Sequence, residues 1–251
     1  MSWIYLSPHA DDVALSCGGV VWEQSRQGLS PQVWTICAGD PPAQPLSPFA
    51  EALHVRWNTG REAAAIRRAE DLQSCAQMGA WARHFPIPDC IYRRLETDGT
   101  APYASEAEIF GPLHLGEAAL VESLSAELAR RLTEQPVLIC PLSLGGHVDH
   151  RLTRLAAERL DRSLWFYADY PYAEASAADL SGLIPEGWEM LVYPISAEGL
   201  SAWFRCVAAH RSQISTFWPD LDSMEASIQA YCRRYGGVRL WRERSTSKIG
   251  G

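Results

Sequence analysis

Residues 3–28 read WIYLSPHADDVALSCGGVVWEQSRQG, which is a short apolar run, a polar turn and a helical pattern in succession. The apolar and aromatic run at residues 3–6 ends at a Ser-Pro pair, as is typical of a buried strand. Residues 13–27 then have the pattern of a helix that ends at Gly28. A strand that passes directly into a helix is the repeating unit of parallel α/β sheets, so this stretch favours that fold class.

The same alternation continues along the rest of the chain. Further strand patterns lie at residues 32–38, 84–91, 136–141, 164–167 and 190–193. Further helical patterns lie at residues 61–78, 117–133, 151–161, 197–210 and 223–235. The alternation predicts one α/β domain over residues 1–251, Rossmann-like, with a mostly parallel sheet and helices on both faces. Residues 39–60 and 94–112 lack periodicity, and the sequence assigns them no role.

The composition excludes several classes of protein. The 251 residues include 22 Lys+Arg and 30 Asp+Glu, a net charge of -8, which disfavours binding to nucleic acid. No run approaches the ~18 apolar residues of a membrane span, and the start lacks the pattern of a secretory signal. We therefore expect a cytoplasmic protein. The seven cysteines contain no C-x-x-C pair, so we expect reduced thiols and no thiolate-bound zinc.

Two loops that follow predicted strands are dense in residues that bind metals. Residues 7–12 (SPHADD) follow the first strand, and residues 143–150 (SLGGHVDH) follow the strand at 136–141. Sites in open α/β sheets form where the carboxyl ends of the strands meet the following loops. Asp12 alone would be an ordinary helix N-cap, but Asp11 beside it supplies a second carboxylate. One carboxylate can bind a cation while the other handles protons, as in a catalytic metal site with open positions.

These residues resemble a known family. The stretch His-Ala-Asp-Asp at 9–12 resembles the P/A-H-P-D-D signature of the LmbE-like, or PIG-L, deacetylases, and His-Val-Asp-His at 147–150 resembles their H-x-D-H element. Further similarity lies at 67–70 with 78–80, and at 209–213, in the family's order. The resemblance implies a Rossmann-like fold and a zinc-dependent enzyme that removes acetyl groups from small N-acetylated amino sugars and related conjugates.

The resemblance also implies the metal ligands. By motif position, His9, Asp12 and His150 would bind zinc, although two histidines and a carboxylate also suit Fe²⁺. Two positions depart from the signature: Ala10 stands where Pro is usual, and Val13 where Glu is common. Neither departure removes an implied ligand, so we expect the chemistry to be retained.

Three further residues take catalytic roles by the same resemblance. Asp11 would be the general base that deprotonates metal-bound water. His147, held by Asp149, would stabilise the tetrahedral oxyanion or protonate the leaving amine. The nucleophile would thus be the metal-bound water.

Four other residues are weaker candidates for contacts with the substrate. Arg67 and Arg68 could hold a sugar hydroxyl or phosphate, or could lie on a solvated helix face. Asp169 belongs to an aromatic stretch at 167–172 that could form a sugar-stacking wall or pack in the core. His210 follows an apolar helical pattern and could be a structural histidine or line the pocket.

Two alternative functions remain open from the sequence. His147-x-Asp149 with a distant histidine such as His210 could form the facial triad of a non-haem iron(II) oxygenase, a chemistry usually found in an all-β fold. A catalytically silent, sugar-binding protein with the same two loops is the other alternative.

Overall fold

The computed structural model describes residues 2–132, 135–175, 180 and 184–244. Its strands form one seven-stranded sheet in the order β3-β2-β1-β4-β5-β7-β6. The strands are β1 (Trp3–Ser7), β2 (Pro31–Thr35), β3 (Trp81–His84), β4 (Val137–Pro141), β5 (Leu164–Tyr167), β6 (Trp188–Tyr193) and β7 (Val238–Glu243).

The direction of the strands places the carboxyl ends of β1 and β4 side by side. Strands β1 to β5 run parallel, whereas β7 is antiparallel to both β5 and β6. In the register, Tyr5 of β1 is opposite Ile139 of β4. The chain moves from β1 to β2 on one side and reaches β4 on the other, so β1 and β4 flank the switch point where α/β sheets bind ligands.

Helices cover both faces of the sheet. They are α1 (Asp12–Arg26), α2 (Pro48–Trp57), α3 (Ala63–Met78), α4 (Glu106–Ile109), α5 (Ala118–Arg131), α6 (Val148–Glu158), α7 (Tyr172–Ala175), α8 (Ala197–Ala208), α9 (Arg211–Phe217) and α10 (Leu221–Tyr235). Apolar residues of α1, α3, α8 and α10 share one buried cluster, and those of α5 and α6 share a cluster on the opposite face. Among the described helices, none is both long and apolar enough to cross a bilayer.

Helix α1 packs closely on α8 because two of its residues are glycines. A Cβ on Gly18 would lie 2.4 Å from Sγ of Cys206 and 2.8 Å from the Trp203 ring. The indole N–H of Trp203 donates to the carbonyl oxygen of Ala14 at 2.8 Å. The Gly18-Gly19 pair therefore lets a buried tryptophan contact the α1 backbone.

A third apolar cluster lies under the two stretches that lack periodicity. Its members come from α2, from the turn after β3 and from the segment around α4, and they include Leu53, Trp57, Ile91, Tyr103 and Ile109. Residues 39–60 and 94–112 are therefore anchored by a small core of their own, next to the carboxyl ends of the strands.

The fold class predicted from the sequence is confirmed, with local corrections. The strand predicted at residues 84–91 is wrong: β3 ends at His84, and beyond it only isolated bridges at Pro86 and Pro88 pair with the chain after β2. Proline lacks the N–H that a continuous ladder needs. The sequence also missed β7, and it missed α2 within residues 39–60 and α9 after His210.

Candidate active site

The two loops that the sequence predicts to bind a metal, residues 7–12 and 143–150, meet at a cavity of about 300 Å³ at the carboxyl ends of β1 and β4. The lining includes all three histidines of the loops, together with Asp11 and Asp12. The first loop is held locally by Ser7, whose hydroxyl donates to the carbonyl oxygen of His9 at 2.5 Å and accepts from the Val13 N–H at 3.2 Å. This turn presents His9 and the start of α1 to the cavity.

Asp12 lies between two imidazoles. One carboxylate oxygen, Oδ2, accepts from the His9 backbone N–H at 2.7 Å and lies 3.3 Å from Nδ1 of the same residue. The other, Oδ1, lies 3.3 Å from Nε2 of His150. Asp12 is the first residue of α1, where the helix dipole favours a carboxylate. Two nitrogens and one carboxylate therefore converge from loops that are 138 residues apart in the chain (from Asp12 to His150).

The opposite nitrogen of each imidazole faces a second buried carboxylate. Nε2 of His9 lies 3.0 Å from Oδ2 of Asp149, and Nδ1 of His150 lies 2.6 Å from Oδ1 of Asp169. Ligating histidines in metal sites characteristically bind a carboxylate through the ring nitrogen that does not face the metal. His9, Asp12 and His150 thus have the donor types of a divalent cation site. His9, His147 and His150 also bring one ring nitrogen each within 4.8 Å of one another.

The charges of this cluster also favour a cation. Burial would lower the pKa of His9, but hydrogen bonds with Asp12 and Asp149 raise it well above its usual value. Burial likewise opposes protonation of His150, yet Asp12 and Asp169 raise its pKa to about 10. Burial would raise the pKa of Asp12, and the two imidazoles lower it well below its usual range. A divalent cation would bind here in exchange for imidazole protons.

Asp11 is oriented by Arg67 and not by the helix it precedes. Its side chain makes no capping hydrogen bond to α1. Instead, Nη2 of Arg67 donates to Oδ1 of Asp11 at 3.2 Å, while Nη1 donates to Asp89 at 3.4 Å. The Arg67 guanidinium also lies 5.1 Å from the ring centre of Trp57. Asp11 is therefore a buried carboxylate at the cavity, fixed by an arginine that lines the same cavity.

His147 is held as a neutral hydrogen-bond donor. It precedes α6, and its Nδ1 accepts from the backbone N–H of Asp149 at 3.2 Å, so the ring proton lies on Nε2. Burial and the nearby positive charge of His9 lower the pKa of His147 well below its usual value. The turn before it needs glycine: Gly145 has φ +79°, and a Cβ there would lie 2.9 Å from the Tyr172 ring.

The role of Asp149 differs from the expectation. Its backbone N–H donates to His147, and within the described part of the chain no hydrogen bond joins its carboxylate to that ring. The carboxylate is fully buried, lies against Nε2 of His9, and accepts from Arg93 and from the backbone N–H of Cys90. The side chain of Asp149 therefore orients His9 instead of His147.

The four weaker candidates have different positions. Arg67 lines the cavity, whereas Arg68 extends away from it to the Ala38 carbonyl oxygen and to Asp40. Asp169, expected to contact substrate, is 1% exposed and lies behind His150. His210 is also 1% exposed and, in the described part of the chain, is not part of the cavity lining. The substrate contacts expected of Arg68, Asp169 and His210 are therefore corrected.

Aromatic rings form one wall of the cavity. The ring of Phe110 lies 5.4 Å from His147 and 6.0 Å from Tyr172, and Tyr172 lies 6.1 Å from Phe217. Of the aromatic stretch at 167–172, only Tyr172 lines the cavity, because Tyr167 and Tyr170 are buried in the core. The lining also includes the polar residues Asp11, Arg67 and Asp89.

Several site residues escaped the sequence analysis. Asp89 lines the cavity five residues after β3, and the strand predicted at 84–91 concealed it. Its signal was the same as for Asp11: a carboxylate in a loop after a strand. Phe110 lies in a stretch without periodicity, and Gln213, which follows His210 by three residues, also lines the cavity. No periodic pattern marks Phe110, whereas Gln213 lies in the stretch at 209–213 that resembles the family.

The chain is similar in sequence to known proteins. Residues 4–160 match the family model described as GlcNAc-PI de-N-acetylase. A 2'-N-acetylparomamine deacetylase of Niallia circulans is 29% identical over 216 residues, 76% of this chain and 73% of the relative. One from Streptomyces fradiae is 29% identical over 195 residues, 72% of this chain and 64% of the relative.

Solved structures show the same fold. The zinc-inhibited form of a teicoplanin deacetylase superposes with a TM-score of 0.81 at 24% identity, covering 99% of this chain and 100% of that one. An A40926 pseudoaglycone deacetylase has a TM-score of 0.76 at 26% identity, covering 96% of both chains.

Proposed function

This chain belongs to the GlcNAc-PI de-N-acetylase (PIG-L) family, and from that premise we propose that it is a metal-dependent hydrolase of N-acetylated amino sugars. The reaction would release acetate and leave a free amine on the sugar. The names of the two sequence relatives, both deacetylases of an N-acetylated amino sugar, support this proposal.

One observation supports it above the others. The two imidazoles that face Asp12 each have a buried carboxylate on their other nitrogen, and Asp11 lies beside them at the same cavity. His9, Asp12 and His150 would hold the cation, with zinc as the proposed ion and Fe²⁺ as the alternative. When bound, such an ion lowers the pKa of a coordinated water to roughly 7 and polarises an amide carbonyl.

Two residues of the protein then have separate roles: Asp11 transfers protons, and His147 stabilises the negative charge on the oxyanion. Asp11, held by Arg67, accepts a proton from the attacking water as oxygen bonds to the amide carbon. The Nε2–H of neutral His147 donates to the oxygen that becomes negative. When the C–N bond breaks, Asp11 returns its proton to the departing amine. A neutral His147 stabilises the oxyanion by hydrogen bonding, and the proton on the amine comes from Asp11.

The lining of the cavity suits a sugar ring. Its polar residues, among them Asp11, Arg67 and Asp89, offer partners for hydroxyl groups. Its aromatic residues, among them Phe110 and Tyr172, offer ring faces for the apolar C–H groups of the sugar. We therefore propose a small N-acetylated amino sugar, or a conjugate of one, as the substrate.

Acetate release tests the proposal directly. Purified protein is stripped with a chelator and reloaded with one equivalent of Zn²⁺ or Fe²⁺, and acetate is measured on a mixed set of N-acetylated amino sugars. We expect the stripped protein to be inactive and one of the reloaded samples to release acetate. A protein that binds metal but releases no acetate from any substrate would instead support the silent, sugar-binding alternative.

The oxygenase alternative fits the structure poorly. It needs the carboxylate of Asp149 and a distant histidine such as His210 to share a metal with His147. The Asp149 carboxylate is occupied by Arg93 and His9, and His210 lies outside the cavity lining among the described residues. The fold is also α/β and not the β-sandwich typical of that chemistry.

Removing the proposed oxyanion donor should slow the chemical step. In His147→Ala we expect kcat to fall by ~10²–10³ with little change in KM, because the donor acts on charge that develops in the transition state. Steady-state kinetics and the metal content of the variant check this result. A fall in metal content as large as the fall in kcat would instead make His147 a metal ligand, which its position near the other two imidazoles allows.

A further inference from the structure

Arg93 is a buried cation that none of the proposed chemical steps uses. It is 6% exposed and lies between two buried carboxylates, those of Asp149 and Glu117. Its Nη1 donates to Oδ1 of Asp149. Its Nε and Nη2 donate to the two oxygens of Glu117, with the Nη2 contact at 3.3 Å. Arg93 itself does not line the cavity in the described part of the chain.

One edge of the Arg93 guanidinium determines how Asp149 faces His9. With Oδ1 bound to Arg93, the other oxygen, Oδ2, accepts from the Cys90 N–H at 3.0 Å and lies 3.0 Å from Nε2 of His9. This contact leaves Nδ1 of His9 directed at Asp12, at 3.3 Å. Without Arg93, the Asp149 carboxylate would be a buried anion that lacks one of the hydrogen-bond donors that fix its direction.

The other edge closes the segment that supplies part of the cavity wall. Arg93 and Glu117 flank residues 94–116, so their ion pair joins the two ends of this segment. The hydroxyl of Tyr103, inside this segment, also donates to Glu117, at 2.6 Å. Phe110 of the aromatic wall belongs to the same segment.

We propose that Arg93 is a positioning residue that joins the metal site to the substrate wall. Through Asp149 it orients His9, and through Glu117 it holds residues 94–116 closed over the cavity. The assignment rests on the proposed function. The planar guanidinium is suited to this double role because it presents two donor edges at once, whereas a lysine ammonium presents a single point of charge.

Two variants separate the contact of Arg93 with Asp149 from its contact with Glu117. Arg93→Lys keeps the charge but cannot satisfy both carboxylates, and we expect metal affinity to fall roughly 10- to 100-fold, the usual effect of losing a group that orients a metal ligand. Glu117→Gln leaves the contact with Asp149 in place, so we expect unchanged metal affinity and a roughly tenfold rise in KM from the loosened segment. Zn²⁺ affinity is measured by competition with a chromophoric chelator, the Co²⁺ absorption spectrum reports ligand geometry, and KM and kcat come from acetate release.

Asp71→Asn is the matched control. Asp71 is a buried carboxylate that contacts Thr35 at 2.7 Å and His84 at 2.8 Å, away from the cavity lining as described. We expect this variant to lose thermal stability without a change in metal affinity, Co²⁺ spectrum or KM. A general loosening of the fold would change all of the variants alike.

The outcomes distinguish this assignment from the proposed function. If Arg93→Lys binds metal as tightly as the unchanged protein, Arg93 does not position His9, and the deacetylase proposal is unaffected. If the unchanged protein itself binds no metal, the proposed metal chemistry and this assignment fall together. If Arg93→Lys does not fold, Glu117→Gln decides: a raised KM at normal metal affinity supports the assignment, and an unaltered KM overturns it.

Discussion

In the variant His150→Ala we expect the metal affinity to fall by well over roughly 100-fold. Loss of a group that only orients a metal ligand lowers the affinity by up to about 100-fold, and this variant loses a ligand itself. The imidazole at position 150 has one nitrogen 2.6 Å from Asp169 and the other 3.3 Å from Asp12, and an alanine side chain offers no atom that could bind a metal. The variant should emerge from purification and dialysis with little zinc and release no acetate. Elemental analysis of metal per chain is the measurement.

His84→Ala is the control for losing an imidazole that is paired with a buried carboxylate. His84 is partly buried and lies 2.8 Å from a carboxylate, Asp71, as His150 does from Asp169, but it ends β3 outside the cavity lining of the described residues. Its metal content should equal that of the unchanged chain. An unaltered zinc stoichiometry in His150→Ala would contradict the ligand assignment.

The variant Asp11→Asn should retain its metal and lose its activity. An amide is close in size to the carboxylate and still accepts from Arg67, but it cannot take a proton from water. We expect kcat to fall by ~10²–10⁴, the usual contribution of a positioned general base, with zinc content and KM nearly unchanged. Acetate release under saturating substrate, together with elemental analysis, measures both quantities.

Asp40→Asn provides the matched control. Asp40 accepts from Arg68 at 2.7 Å, much as Asp11 accepts from Arg67, but it is exposed and lies outside the cavity lining within the described ranges. Its kcat should be that of the unchanged chain. A kcat for Asp11→Asn within a few-fold of this control would rule out Asp11 as the base.

Much of the site was accessible from the sequence because it depends on local patterns. The apolar run before Ser7 and the one before Leu142 mark strands, and the residues after each run are metal-binding types. Since parallel strands place their carboxyl ends on one edge, the approach of His9 to His150 follows from topology. The structure brings these two rings to 5.4 Å between centres.

The contacts that a pattern could not predict are those between distant segments. The sequence places Asp149 two residues from His147, yet its carboxylate faces His9, because Arg93 and Cys90 approach from the turn after β3. Similarly, Asp169 follows β5 just as Asp11 follows β1. Its carboxylate lies behind His150, 2.6 Å from Nδ1 of that ring, and therefore does not face the cavity. Side-chain direction at the end of a strand depends on these neighbours, and spacing along the chain does not encode it.

The elements missed in the sequence have a common physical cause. Helix α2 has a mixed pattern because its buried residues, among them Leu53 and Trp57, contact a small local core instead of the sheet. Strand β7 (VRLWRE) has no regular alternation of apolar and charged residues and ends with two exposed ones. Its place in the sheet comes from pairing with β5 and β6, which are distant from it in the sequence.

The close seating of α1 on α8 has a consequence for how selectivity can change in this protein. A Cβ at Gly18 would clash with Trp203 and Cys206, so the helix that begins at Asp12 is closely packed on α8. Residues 39–60 and 94–112 rest on a separate small core and supply other parts of the cavity lining. Exchange of those two segments would redirect the enzyme to new substrates while the hydrolytic apparatus stays as it is.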